Sequence, residues 1–244
     1  PSNMLYAAAL SAAAKMYGMP GLAKQAEEVR AAVRKQSLAG TFFSDNAVRE
    51  NRALRVTKNT TEACQYYAFF FDCASQKNDS ELWTTLTKSF GPARDAAKVY
   101  PDVFQANAFI GNYLRIELLS RAGLCGRIRE EAADFFMYMA ERTGTLWENT
   151  HALASCDHGF ASHAAYCLLR DMAGIYRVNA PERRVTLRFA ETGLDWCEGS
   201  VPVPGGAVTV SWRKENGKVV YRADAPEGWR ITAETVGKVE AERR

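Results

Sequence analysis

Helical periodicity runs through the first 174 residues and stops at Gly174, and this break limits the folds open to the chain. Apolar residues recur at helical spacing over about 2–18, 21–36, 60–76, 79–90, 103–122, 125–141 and 157–173. Gly18-Met19-Pro20 separates the first two segments, Gly91-Pro92 ends the fourth, and Ala122-Gly123 ends the fifth. Glycine accepts the left-handed turn that closes a helix, and proline cannot continue one. Ser155 or Asp157 is placed to cap the last segment. The order is helix, short turn, helix, then a longer connection, recurring roughly every 45–55 residues. Three pairs and a closing helix fit. The longer connections, 37–59, 91–102 and 142–156, are expected to gather at one end of the helices, where sites usually form.

After Gly174 the pattern becomes that of strands. VTLRF (185–189), AVTVSW (207–212) and VVYRA (219–223) are short β-type runs, and Asn216-Gly217 between the last two is a hairpin signal. The division expected is a helical part at 1–175 and a small antiparallel β-sandwich at 176–244. Trp196 and Trp212 are expected to fill the β core, and the charged tail Lys238–Arg244 to fray.

Composition excludes several classes. The net charge of +3 with scattered basic residues gives no stripe for tracking phosphates, so no nucleic-acid partner is expected. No apolar run approaches the roughly 18–20 residues that span a bilayer, so no membrane partner is expected. The opening PSNMLYAAALSAAAKMYGMP lacks a basic leader region and places Leu5, Ala8, Ala9, Ala12 and Met16 on one stripe, which reads as a packed helix. The chain starts with Pro, almost directly in that helix, as a segment of something longer would. The compartment stays open. Six cysteines form no Cys-x-x-Cys pair, and Cys64, Cys73 and Cys167 read as buried hydrophobes.

All three histidines fall in TGTLWENTHALASCDHGFASH, residues 143–163. His151, Cys156, His158 and His163 lack the tight spacing of a zinc site, whose ligands converge at about 2.0–2.3 Å, so no metal and no cofactor is expected. Cys156 and His158 stand two apart, where a nucleophile and its base rarely face each other. Trp147-Glu148 supports a third reading, a carboxylate beside an aromatic face as at sugar sites, with a solvated surface loop as the plain alternative. Elsewhere, Asp45, Asn46 and Arg49 lie in a long connection, as pocket rim or as turn residues. Asn107 is either pocket wall or a helix–helix hydrogen-bonder. The aromatic run Tyr66–Phe71 reads as core.

The motifs and their order resemble the bacterial α-L-rhamnosidases, inverting glycoside hydrolases with a six-hairpin (α/α)6 toroid. LWE (146–148) and SCDHGFAS (155–162) match the family's site segment. YAAALSAAAKMYG, FFSDNAVREN, TEACQYYAFFFD, PDVFQANAFIGNYL, LLSRAG and LDWCEGSVPVPGGAVTVSW follow in the family's order. The resemblance implies Glu148 as general base, activating water with its acid partner roughly 6.5–9.5 Å away. It implies His158 as a contact to a sugar hydroxyl, and Trp147 as a wall of the rhamnose pocket. The family's acidic segment, of the type Asp-Cys-Pro-x-Arg-x-Glu, has no counterpart here, and about five of the toroid's twelve helices are absent by this reading. The expectation is therefore a C-terminal portion carrying the base without the acid, inactive alone. Its partners would be a rhamnose-containing glycoside and the missing N-terminal portion, with self-association as another way to cover open helix faces. Two alternatives stand beside it: a six-hairpin glycosidase of other specificity, and a non-catalytic carbohydrate-binding relative.

Overall fold

The computed structural model describes residues 1–106, 109–149 and 154–244. The chain divides into two units, Pro1–Leu118 with Asn149–Leu153, and Leu119–Glu148 with Ala154–Arg244.

The first unit opens with the helical hairpin that Gly18-Met19-Pro20 predicts. α1 (Ser2–Tyr17) stops at Gly18, whose φ of 64° makes the left-handed cap, and α2 (Pro20–Ser37) starts on Pro20. α1 buries Met4, Ala7 and Ala14. The stripe singled out in the sequence is the opposite face: Leu5, Ala9, Ala12 and Met16 are exposed, and Ala8 is half-buried. α1 is apolar on both sides, and periodicity alone does not say which side meets the core.

The connection after α2 is folded rather than loose. β1 (Leu38–Ala39) pairs with β2 (Phe42–Phe43), and β3 (Ala47–Glu50) pairs with β4 (Ala53–Val56), both antiparallel. Asn51 and Arg52 both take positive φ, 46° and 68°, in the two-residue turn between β3 and β4. An arginine there hides the hairpin from a reader looking for glycine. α3 (Glu62–Phe70), α4 (Ser80–Lys88) and the short α5 (Arg94–Ala97) follow, then α6 (Phe109–Arg121), which runs across the division between units. Tyr66, Phe69, Leu82, Leu86, Phe90 and Leu114 form the core here, with Tyr67, Phe70 and Phe71 packed at its margin, so the aromatic run is core as expected.

The N-terminal end of α3 meets two of the three longer connections, through Asp45 and Arg94. Thr61 caps the helix by accepting from the Cys64 amide at 3.1 Å. Fully buried Glu62 accepts from the Ala106 amide at 3.1 Å and Tyr66 Oη at 3.0 Å, and pairs with Arg94 at 3.1 Å. Burial is the strongest influence on its carboxyl and raises it above 4.5, against the Ala106 amide, Arg94 and Tyr66. The folded state thus holds this proton more tightly than the unfolded chain. Its contribution is full below the unfolded value and is lost as pH rises through the folded one. Melting curves of Glu62→Gln should accordingly lose part of the wild-type fall in stability above pH 4.5.

In the second unit, α7 (Cys125–Glu131) and α8 (Met137–Thr143) are one helix interrupted by a π turn at Ala132–Phe136. A 3-10 turn (Gly159–Ser162), α9 (His163–Cys167) and a second π turn (Leu168–Met172) make the last helical stretch. Neither Ser155 nor Asp157 caps α9; Ser155 Oγ donates to the Asp157 carbonyl instead. A three-stranded sheet has the order β10 (Arg230–Thr235), β6 (Arg184–Phe189), β5 (Ile175–Asn179). A four-stranded sheet has the order β11 (Ala241–Arg243), β9 (Lys218–Asp224), β8 (Gly206–Glu215), β7 (Trp196–Val203). Val185, Leu187 and Phe189 of the first share one core with Val208, Val210, Trp212 and Tyr221 of the second.

Three expectations need correction here. The sheets are mixed rather than antiparallel, because β10 runs parallel to β6 and β11 parallel to β9. The tail does not fray: β11 pairs with Val219–Tyr221, and Arg244 bonds both the Tyr221 carbonyl and Glu215. Trp196 lies outside the core and is 65% exposed, since the alternation along β7 turns it to the opposite face from Cys197.

The expected burial of Cys64, Cys73 and Cys167 holds, and Cys125 joins them. Burial pushes the thiols of Cys64 and Cys125 up to about 12, which makes both neutral packing groups. Gly123 closes α6 with φ 70°, and a Cβ there would collide with Val236 Cγ1. Gly123→Ala is expected to lower stability by roughly 1–3 kcal/mol in urea unfolding, from left-handed strain and overpacking.

Candidate functional site

The described parts of the segment, 143–149 and 154–163, are organised by their backbone. α8 ends at Thr143, and Gly144 turns the chain with φ 75°. Residues 145–148 then run beside 155–158. The Glu148 amide donates to the Ser155 carbonyl at 2.8 Å, the His158 amide donates to the Leu146 carbonyl at 3.0 Å, and Thr145 Oγ1 donates to the Cys156 carbonyl. These bonds place Glu148 and His158 on adjacent, mutually bonded strips of chain. Spacing along the sequence could not show that.

Trp147 is the anchor of this arrangement. It is 3% exposed, its indole donates to Thr143 Oγ1 at 2.8 Å, and its ring meets Tyr138 edge-on at 5.8 Å. The Thr-Gly-Thr turn and the tryptophan thus lock onto each other, and the residue after Trp147 is held half-buried. Trp147→Phe keeps the packing but drops the indole bond, and a loss of roughly 1 kcal/mol in unfolding free energy is expected. Glu148 makes no side-chain hydrogen bond or ion pair among the described residues. The half-buried His158 ring stacks on Phe160 at 5.5 Å and 24°, and Phe160 itself is 66% exposed. That exposed aromatic was missed in the sequence, although Gly159-Phe160-Ala161 places it between small residues.

The other candidates have structural partners or cannot be placed. Asp45 Oδ1 accepts from both the Thr61 amide (3.0 Å) and Thr61 Oγ1 (3.1 Å), so it supports the α3 cap. Asn46 Oδ1 accepts from Thr57 Oγ1 at 2.7 Å and closes the base of the β3–β4 hairpin. Both lie in the connection that meets the N-terminal end of α3. Asn107 and His151 lie outside the described residues. His163 points elsewhere, to Cys167 Sγ at 3.1 Å one helical turn on.

No protein-family model matches the chain, and no curated protein matches it. Solved structures do. A GH78 family rhamnosidase of Bacillus sp. GL1 superposes on 98% of this chain with a TM-score of 0.80 and 19% identity. The chain folds like part of an α-L-rhamnosidase. Two further rhamnosidase structures carry the same fold. That of Dictyoglumus thermophilum matches 94% of the chain (TM-score 0.68, 17% identity). That of Streptomyces avermitilis, solved with L-rhamnose, matches 95% (TM-score 0.66, 13% identity). The chain spans about a quarter of the length of these rhamnosidases: 26%, 26% and 22%. The rhamnosidase fold therefore covers both the helical and the β parts, at identities that speak for fold alone.

Proposed function

We propose that the chain is the base-bearing C-terminal portion of an inverting α-L-rhamnosidase, built into a six-hairpin toroid at 1–175 with the β part at 176–244. The observation that carries this reading is the bonded pair of strips 145–148 and 155–158, presenting Glu148 within a chain that folds like part of a rhamnosidase. Glu148 takes a proton from water as the water attacks the anomeric carbon. An acid on the complementary portion protonates the leaving oxygen. His158 bonds a sugar hydroxyl through one ring nitrogen. Trp147 acts from beneath, holding the strip rather than offering its face.

The acid belongs to sequence outside this chain, so the chain alone should be silent. With a panel of 4-nitrophenyl glycosides, the expected result is no release by the chain alone and release of the α-L-rhamnoside when the complementary portion is joined or supplied. Release of another glycoside only would assign the fold to a different specificity. Binding without any release would favour a carbohydrate-binding relative. The exposed α1 face with Leu5 and Met16 is covered by the complementary portion or, without it, by self-association. Sedimentation of the chain alone should show concentration-dependent association, and a clean dilute monomer would count against that cover.

A further inference from the structure

The outward face of the four-stranded sheet carries a pattern that the rhamnosidase reading leaves unused. Strand register sets residues in rows across β7, β8 and β9. Trp196, Arg213 and Val220 form one row, and Glu198, Ser211 and Arg222 form the next. Ser200, Thr209 and Asp224 continue the same face. Rows stand about 7 Å apart and strands about 4.8 Å apart, the dimensions of a platform for one or two sugar rings. Over the first two rows lies a groove of about 800 Å³, and a second of about 440 Å³ continues over Glu198, Ser211 and Arg222. The first falls within the range of roughly 300–1,000 Å³ seen for small-ligand sites.

We infer that this sheet face binds a neutral saccharide, with Trp196 as the stacking platform. Trp196 is 65% exposed, and its indole makes no hydrogen bond among the described residues. The side chains of Glu198, Ser211 and Arg222 likewise make no hydrogen bond or ion pair there. A solvated tryptophan beside three unused hydrogen-bonding groups suits a ligand with an apolar face and a rim of hydroxyls. Charge decides against a polyanion. Arg213 and Arg244 are both drawn to Glu215, and Arg222 is offset by Glu198 and Asp224 on the same face. Apolar content decides against a protein surface, since only Trp196 and half-buried Val220 could form a dry centre. The inference does not depend on Glu148 acting as a base.

Native gel electrophoresis of the full chain through galactomannan, xyloglucan and a neutral rhamnan tests it. Retardation by at least one of them is expected. Trp196→Ala should weaken it at least tenfold with an unchanged circular dichroism spectrum, and Glu198→Ala should weaken it less. Wild-type mobility unaffected by all three polymers would overturn the inference, as would equal retardation of Trp196→Ala. Retardation lost in Glu148→Gln but kept in Trp196→Ala would place the saccharide at the strips 145–148 and 155–158, which also overturns it.

Discussion

Glu148→Gln in the assembled enzyme is expected to lower kcat for 4-nitrophenyl α-L-rhamnopyranoside by about 10²–10⁴-fold, the usual worth of one general acid or base. Glutamine keeps the size of the side chain and its contacts, but it cannot take a proton from the attacking water. KM should move little, because a general base of the kind proposed acts on the water rather than holding the sugar. The fold should be unaffected. Glu148 is half-buried, its backbone amide supplies the bond to Ser155, and its carboxylate has no side-chain partner among the described residues. Near-normal turnover in this variant would remove Glu148 from the mechanism. His158→Ala separates the roles: loss of a hydroxyl contact should weaken substrate binding as well as turnover.

Asp171→Ala should produce the largest loss of stability among single substitutions in the second unit. The carboxylate is fully buried at the crossing of three elements. Ser120 at the end of α6 donates to Oδ1 at 2.6 Å, Arg188 of β6 donates to Oδ1 at 3.0 Å, and Arg170 donates twice to Oδ2 at 3.0 and 2.8 Å. Arg188 is sandwiched further, with its guanidinium 3.6 Å from the Tyr176 ring centroid and bonded to the Ser120 carbonyl at 2.9 Å. Removing the aspartate withdraws a buried carboxylate that two buried guanidinium groups share. Breaking one side of such a buried pair typically costs about 3–5 kcal/mol. Urea unfolding of the full chain measures it, and a change below 1 kcal/mol would mean that the two arginines find other partners at little expense. Asp171→Asn keeps the shape and one accepting oxygen but turns an amide donor toward the donors on the other side, so it should recover only a small part of the loss.

The ends of α1 and α6 were legible because they rest on punctuation: Gly18 and Gly123 adopt the left-handed caps that their positions require, whereas the helix expected over 60–76 already ends at Phe70. What periodicity could not carry was orientation. α1 is apolar on both faces, so the stripe through Leu5 and Met16 was assigned to the core while the chain buries Met4, Ala7 and Ala14. The π turns at Ala132–Phe136 and Leu168–Met172 also left no mark, since one extra residue within a turn barely shifts an apolar pattern. Strand pairing across long separations was equally hidden. Nothing local in Ala241–Arg243 says that it will lie parallel to Val219–Tyr221, and its charges suggested solvent instead.

The site divides along the same line. Glu148 and His158 were singled out through the order of motifs, and the structure adds the backbone bonds that set them on neighbouring strips. Trp147 was read as a pocket wall through the resemblance, and in the structure it is buried against Tyr138 and Thr143. Asp45 and Asn46 illustrate the opposite ambiguity. Polar residues in a long connection suit a rim as well as a turn, and here their oxygens are engaged with Thr61 and Thr57. The buried Asp171 cluster was missed because each of its charged members, taken singly, looks like an ordinary surface charge.

Inversion at the anomeric carbon follows only if Glu148 activates water opposite the leaving group, so product stereochemistry tests the account most directly. Proton NMR should be recorded during the first moments of hydrolysis of an α-L-rhamnoside by the assembled enzyme, before mutarotation mixes the products. The account predicts that β-L-rhamnose appears first and that Glu148→Gln abolishes its appearance. First release of the α anomer, or β anomer formed unchanged by the Glu148→Gln enzyme, would contradict it.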